Sequence, residues 1–214
     1  MSGLQYLRIC LGGILFVLAW LILARIVRQR YPFPIPHFMI HLIDNPFRRM
    51  VQPLHKYPER LGIKPGMKVL EIGPGSGTYT LAAAEAVGPE GKIIAVDIED
   101  RVVQHIQRRI EKNDVSNNEI LQGDAQSLDF PPDSFDAIYG ITVFGEIPDR
   151  GKALAGFQRA LVPGGTLALS EFMLDPDSQP ATRHREECEV AGFRFLEESG
   201  NLLHYTMLFE FPGE

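Results

Sequence analysis

The chain has 214 residues, 45% of them hydrophobic, with 20 Gly, 16 Pro and 2 Cys. That length holds one ordinary domain plus an extension, and the composition excludes a disordered, collagen-like or disulfide-stapled chain. Charge is unevenly spread: residues 1–30 carry four Arg and no acid, whereas the other 184 carry 17 Lys and Arg against 27 Asp and Glu. An acidic body of this kind argues against a nucleic-acid partner, because binding phosphate rests on Lys and Arg. Cys10 and Cys188 stand far apart in unlike contexts and read as free thiols in a reducing compartment.

Residues 9–24 run for sixteen positions without a charge, and the apolar character extends over residues 4–27. A spanning helix needs about 20 residues, and Arg8 and Arg25 at the ends can reach toward headgroups. A cleaved leader would show a small-x-small site after the run, which instead exits through Leu-Ala-Arg-Ile-Val-Arg. A helix lying in the interface would be amphipathic, and this one is apolar all round. The expectation is a single-pass anchor at residues 4–27. Arg25, Arg28 and Arg30 after the span outnumber Arg8 before it, which places the body in the cytoplasm.

Residues 28–60 form a spacer and cap. Tyr31-Pro32-Phe33-Pro34-Ile35-Pro36 favours extended backbone. Short helical pieces follow, broken by Pro46, Pro53 and Pro58, with Asn45 as a helix cap and apolar side chains from Phe38 to Val51. These either lie on a headgroup layer, cover a pocket, or simply pack.

From residue 61 onward strands alternate with helices. Strands are expected at 68–73, 92–98, 119–124, 135–142 and 166–172, with helices at 78–87, about 100–112, before 161 and at 182–191. Strands without a polar face between helices indicate a doubly wound parallel sheet. Segments 193–198 and 204–211, joined through Ser199-Gly200-Asn201, are too close for a crossover and must pair antiparallel.

Gly73-Pro74-Gly75-Ser76-Gly77 joins the first of these strands to a helix, and Asp97 ends the next strand 22 residues after Gly75. Glycines there open the backbone amides to a ligand, and a strand-end acid can accept from ribose hydroxyls. A dinucleotide fingerprint would need Gly or Ala where Thr78 stands. The loop instead resembles the G-x-G-x-G motif of class I S-adenosylmethionine-dependent methyltransferases. Ala95-Val96-Asp97-Ile98, Gln122-Gly123-Asp124-Ala125 and Arg159-Ala160-Leu161-Val162-Pro163-Gly164-Gly165 extend the resemblance in order and spacing over residues 61–211.

The resemblance implies a Rossmann-like domain at residues 61–214, with a seven-stranded sheet and its last strand antiparallel. It implies S-adenosyl-L-methionine as cofactor, bound by Glu71, Gly73, Gly75 and Gly77, with Glu71 and Gly73 approaching the methionine end. Asp97 then binds the ribose, Ile98 packs on adenine, and Asp124 with Ala125 receives the adenine edge. The N/D-P-P-Y/F motif of amide and exocyclic-nitrogen methylators is absent; Gly140-Ile141-Thr142-Val143 stands there.

Glu146, just past the fourth strand, is the best-placed candidate general base, its alternative being a solvated loop acid. His37 and His41 lack companions for a metal set, so no metal is expected. Tyr79 reads equally as a cofactor contact or a core aromatic, and Cys188, among acids, is a poor nucleophile. Only residues 31–60 and 174–183 remain to roof the acceptor. Anchoring points to a small or lipid-like apolar acceptor: a lipid, a quinone-like ring, a thiol or a phenol. A small soluble acceptor, or an idle binding module of the same fold, is the alternative.

Overall fold

The computed structural model describes residues 3–30 and 46–213. The proline spacer, His37, His41 and Asn45 lie outside the described residues. Helix α1 (Gly3–Arg30) is followed by α2 (Pro46–Val51), a turn at Leu54–Lys56 and α3 (Tyr57–Arg60). The alternating part comprises β1 (Lys68–Ile72), α4 (Thr78–Val87), β2 (Lys92–Asp97), α5 (Asp100–Lys112), β3 (Asn118–Gln122) and β4 (Phe135–Ile141). It continues through α6 (Arg150–Ala160), β5 (Leu161–Phe172), α7 (Ala181–Val190), β6 (Arg194–Asn201) and β7 (His204–Glu210).

One seven-stranded sheet results, in the order β3-β2-β1-β4-β5-β7-β6. The strands β1 to β5 pair parallel, and β7 runs antiparallel to both its neighbours. Sheet period explains the two cores. Val69, Ile93, Ala137 and Tyr139 face α3 and α4, while Leu70, Ile94, Ile138 and Leu169 face α6 and α7. Val102, Val103 and Ile106 of α5 close the first face over Ala95 and Ile120. Central strands buried on both faces, such as the Val69-Leu70 pair at 0% exposure, contribute about 1.5–3 kcal/mol per large apolar side chain.

Two boundaries differ from the sequence reading by three residues or more. Strand β6 does not stop at residue 198 but runs to Asn201, because Gly200 at φ 140 accommodates a position where a Cβ would collide with backbone at His204. Asn201 Oδ1 then accepts from the amides of Leu203 (2.8 Å) and His204 (3.3 Å), so the link is the pair Leu202-Leu203. Strand β5 starts at Leu161, which pairs with Phe135 before an irregularity that absorbs Pro163-Gly164-Gly165.

The N-terminal segment is one helix of 28 residues, about 42 Å long at 1.5 Å per residue. Ile9, Leu11, Leu15, Phe16, Trp20, Ile22, Leu23 and Ile26 on it are exposed. Counted over the described side chains alone, no helix is long and apolar enough to cross a membrane. The side chains of Leu4, Leu7, Cys10, Ile14, Val17, Leu18 and Leu21 lie outside that description. The spanning reading of residues 4–27 therefore rests on the sequence.

Arg25 corrects one expectation, and Arg28 joins it. Rather than reaching for headgroups they turn to the loop after β5: Arg25 Nη2 donates to Ser178 O at 2.7 Å and Arg28 Nε to Asp177 Oδ1 at 2.5 Å.

Candidate cofactor and acceptor site

At the C-terminal ends of β1, β2 and β4 lies a pocket, the position that a doubly wound sheet leaves open. Its wall includes Glu71, Gly73, Gly75, Asp97, Ile98, Asp124, Ala125 and Glu146. The sequence reading named all of these. Gly77 is not part of the wall. It caps α4 at φ 74, and a Cβ there would press on Ile106 of α5 at 3.2 Å, so its role is helix packing.

The loop is held in place from two sides. The Gly73 amide donates to Val96 O at 2.9 Å, and Arg109 Nη1 of α5 donates to Ser76 O at 2.7 Å. Gly73 and Gly75 both lie at positive φ, 61° and 55°, but their surroundings differ. A Cβ on Gly73 would overlap the Val143 side chain, whereas one on Gly75 meets nothing within 4 Å. Gly75 thus borders open space of the kind a ligand fills, while Gly73 lets the loop and the β4 end close on each other.

Glu71 is 2% exposed, and burial lifts its carboxyl to about 7, against the pull of the Thr80 and Tyr139 hydroxyls. Its Oε2 has no hydrogen-bond partner among the described residues. Such an orphaned buried acceptor requires a donor, and an ammonium group entering the pocket supplies one. Asp97 ends β2 with Oδ1 accepting from the Glu99 amide at 2.9 Å; burial, with Glu99 nearby, raises its carboxyl to about 6. Ile98 is 48% exposed in the wall, an apolar surface for a flat ring. Asp124 caps the turn at Ala125–Ser127 through the Gln126 amide (2.9 Å), and Gln126 Nε2 donates to both of its oxygens at 3.1 Å. An ionised carboxylate has about four acceptor positions, so room remains for one more donor.

The other end of the pocket was only partly legible. Glu146 sits in the turn Phe144–Glu146 with its side chain 13% exposed and 3.9 Å from Arg28 Nη2. It is not the solvated loop acid of the alternative reading. Thr142 holds φ 53, an outlier for a β-branched residue. Its amide donates to Ser170 O at 2.6 Å, and its hydroxyl accepts from Arg48 Nη2. Arg48 is buried in the pocket wall, with Nε donating to Gln52 Oε1 at 2.9 Å and its guanidinium over the Phe172 ring.

The apolar roof expected from residues 38–51 is corrected for its described part. Phe47 and Met50 are exposed, and the residue that α2 gives the pocket is the cation Arg48. No sequence signal marked it, because its role depends on where α2 lands. Tyr79 lines the pocket too; its hydroxyl donates to Gln52 O at 3.2 Å and its ring packs on Tyr57.

Behind the β4 end, Glu171, His184 and Tyr205 form a buried set. Tyr205 Oη lies 2.9 Å from His184 Nδ1 and donates to Gln179 O at 2.8 Å. Burial keeps Glu171 well above the usual carboxylate range and lowers His184 to about 4, so the set is neutral. Cys188 is buried and burial pushes its thiol up, which agrees with an inert residue.

Residues 63–206 match the family described as "Methyltransferase domain". The chain is 33% identical over 147 residues to the ubiquinone/menaquinone biosynthesis C-methyltransferase UbiE of Teredinibacter turnerae, covering 68% of this chain and 57% of that one. It is 30% identical over 152 residues to the demethylmenaquinone methyltransferase of Geobacillus stearothermophilus, covering 70% and 62%. The match thus spans less than two thirds of either relative.

Among solved structures, a SAM-dependent methyltransferase from Aquifex aeolicus superposes with a TM-score of 0.78 at 22% identity, over 83% of this chain and 100% of that one. The [4+2]-cyclase SpnF superposes at 0.65 with 17% identity, over 78% and 81%, so the fold alone does not define a reaction. The orphaned Glu71 oxygen, the open face of Gly75 and the strand-end Asp97 fit the cofactor that the sequence motifs imply. The chain belongs to the methyltransferase-domain family of S-adenosylmethionine-dependent enzymes.

Proposed function

We propose that this chain is a membrane-anchored methyltransferase whose acceptor is an apolar ring of the quinone type, methylated from the cytoplasmic side. The observation that carries the acceptor class is the pocket end beyond the glycine loop. Ile141, Val143, Ile147 and Pro148 make an apolar wall there, interrupted by Arg48, Thr142 and Glu146. A flat apolar acceptor with one or two ring oxygens matches that pattern, and the names of the two relatives point the same way.

S-adenosylmethionine supplies an already activated methyl group on a sulfonium. The protein's own contribution is alignment and exclusion of water. Glu71, Asp97, Ile98 and Asp124 would hold the cofactor; Gly73 and Val143 bring the β4 end against the loop. Glu146 is placed to take the proton that a ring carbon or ring hydroxyl gives up on methylation.

The anchor reading rests on the sixteen uncharged residues from 9 to 24 and the exposed apolar side chains along α1. The cytoplasmic side follows from the excess of Arg after the run.

The test is a turnover assay with labelled cofactor and the full chain in lipid nanodiscs. Acceptors are a demethyl quinol, a phenol, a thiol and a membrane lipid extract, with the label located by NMR. Label on a ring carbon or ring oxygen of the quinol supports the reading. Label on a soluble thiol or phenol alone would give preference to a small soluble acceptor. Cofactor binding without turnover on any acceptor would favour the idle binding module.

A further inference from the structure

Two arginines of α1, three residues apart on one helix face, grip a single loop. Arg25 reaches Met173 O at 3.3 Å, Ser178 Oγ at 3.4 Å and Ser178 O at 2.7 Å. Arg28 Nε donates to Asp177 Oδ1 at 2.5 Å, and its Nη2 stands 2.5 Å from Oδ2 as an ion pair. The Arg28 and Asp177 side chains are 12% and 5% exposed, so this is no solvated surface pair. The same Nη2 stands 3.9 Å from Glu146 in the pocket wall.

Beneath that grip, two loops press together. A Cβ on Gly145, the neighbour of Glu146, would overlap the Asp177 carbonyl. The turn that carries Glu146 is therefore in direct contact with the Asp177 backbone. The region is also crowded with acid: Glu146, Glu171, Asp175 and Asp177 cluster at the ends of β4 and β5. The positive charge that faces them comes from segments before the domain, Arg28 on α1 and Arg48 on α2.

We propose that Arg28 is a positioning residue of the acceptor site. By bridging Asp177 and Glu146 it fixes the pocket-wall carboxylate, so seating of the anchor helix against the domain is required for turnover and not only for placement. This rests on the reading of the pocket as a methyl-acceptor site. Helix α1 then does more than hold the domain at the bilayer, because an acceptor dissolved there meets a wall whose carboxylate the anchor's own last turn braces.

The test uses the full chain in nanodiscs with a short-chain water-soluble quinol and measures four quantities. Arg28→Ala is expected to leave cofactor affinity within twofold of wild type while lowering kcat on the soluble quinol at least tenfold. Arg28→Lys, which keeps the charge but loses the Nε donor to Asp177, recovers part of that loss. Asp177→Asn, outside the pocket wall, reproduces the Arg28→Ala defect. Amide exchange over residues 144–146 and 173–178 quickens in Arg28→Ala.

The pH profile supplies a readout that a packing defect alone would not move. Asp175 lies high through burial and through Asp177, and is drawn down by Arg48 and Arg28. Losing Arg28 lifts Asp175 and, by removing the positive charge 3.9 Å from the proposed base Glu146, disfavours that carboxylate and shifts the acidic limb of kcat to higher pH, whereas Arg28→Lys leaves the limb in place. An Arg28→Ala enzyme with wild-type kcat, profile and exchange would overturn the inference. If wild type itself methylates no acceptor, the functional reading fails instead, and the exchange comparison still decides whether Arg28 holds the two loops.

Discussion

Glu71 on β1 and Tyr139 on β4 stand directly opposite each other in the parallel ladder, and neither Glu71 Oε2 nor the Tyr139 hydroxyl has a hydrogen-bond partner among the described residues. The fold therefore holds a buried acid in a setting that does not fully satisfy it, beside the glycine loop. Without ligand this costs stability in a defined pH window. The carboxyl titrates near 4.5 when unfolded and near 7 when folded, so between those values the native state keeps a proton that the unfolded state has lost. Stability then falls as pH rises through the window, by up to about 3 kcal/mol in total. Glu71→Gln is expected to melt close to wild type at pH 4 and above it at pH 8, yet to bind cofactor at least tenfold more weakly. Thermal melts at the two pH values check it; parallel shifts at both would refute the assignment.

Asp97 carries the same sign on a smaller scale. Its carboxyl sits near 6 through burial and the nearby Glu99, so below that pH the ribose would meet a protonated acid with one acceptor fewer. Cofactor affinity is expected to decline as pH drops from 7.5 to 5, with Asp97→Asn at pH 7.5 binding about as poorly as wild type at pH 5. Losing charged hydrogen bonds of about 1.5–3 kcal/mol corresponds to roughly tenfold or more. Calorimetric titrations across pH settle it, and a flat profile for wild type would remove Asp97 from the site.

The cofactor half of the pocket was legible because its determinants are local. A strand, three glycines and a strand-end acid lie on contiguous segments, and the parallel topology delivers them to one edge. The acceptor half was not, because its determinants are long-range. Arg48 reaches Thr142 across 94 positions and Arg28 reaches Asp177 across 149, and neither pairing leaves a trace in spacing or composition. Gly77 was read toward the ligand for a related reason: its left-handed backbone is visible in the motif, but the Ile106 side chain that faces it comes from α5. The β6–β7 link was misjudged by propensity, since Ser-Gly-Asn reads as a turn while Asn201 places the turn at Leu202-Leu203 through its side-chain acceptor.

The two glycines of the loop predict opposite phenotypes. Gly75→Ala adds a methyl to open space and pays only for its positive φ, about 1–2 kcal/mol. It should fold and lose cofactor affinity by tenfold or more. Gly73→Ala collides with Val143 and should destabilise the fold itself; adding Val143→Ala should restore part of the lost melting temperature but none of the φ strain. If Gly75→Ala binds cofactor as wild type does, the open face of the loop is not where the ligand lies.

Thr142 separates stability from activity. A β-branched residue at φ 53 stores strain of about 1–3 kcal/mol, and it is held there by the Ser170 carbonyl and by Arg48. Glycine tolerates that backbone, so Thr142→Gly relieves the strain, though its own unfolded-state entropy takes back about 0.5–1 kcal/mol. The net expectation is a melting temperature equal to or slightly above that of wild type. The same substitution strips Arg48 of the hydroxyl that orients it in the pocket wall, and turnover of the acceptor should drop at least fivefold with cofactor affinity unchanged. Thr142→Ser, which keeps the hydroxyl and sheds the branch, should retain most of the activity. Melting curves and steady-state kinetics on the three proteins decide the matter. Should Thr142→Gly lose stability and activity together, the strained residue is merely structural, and the orienting role of the Arg48–Thr142 contact falls with it.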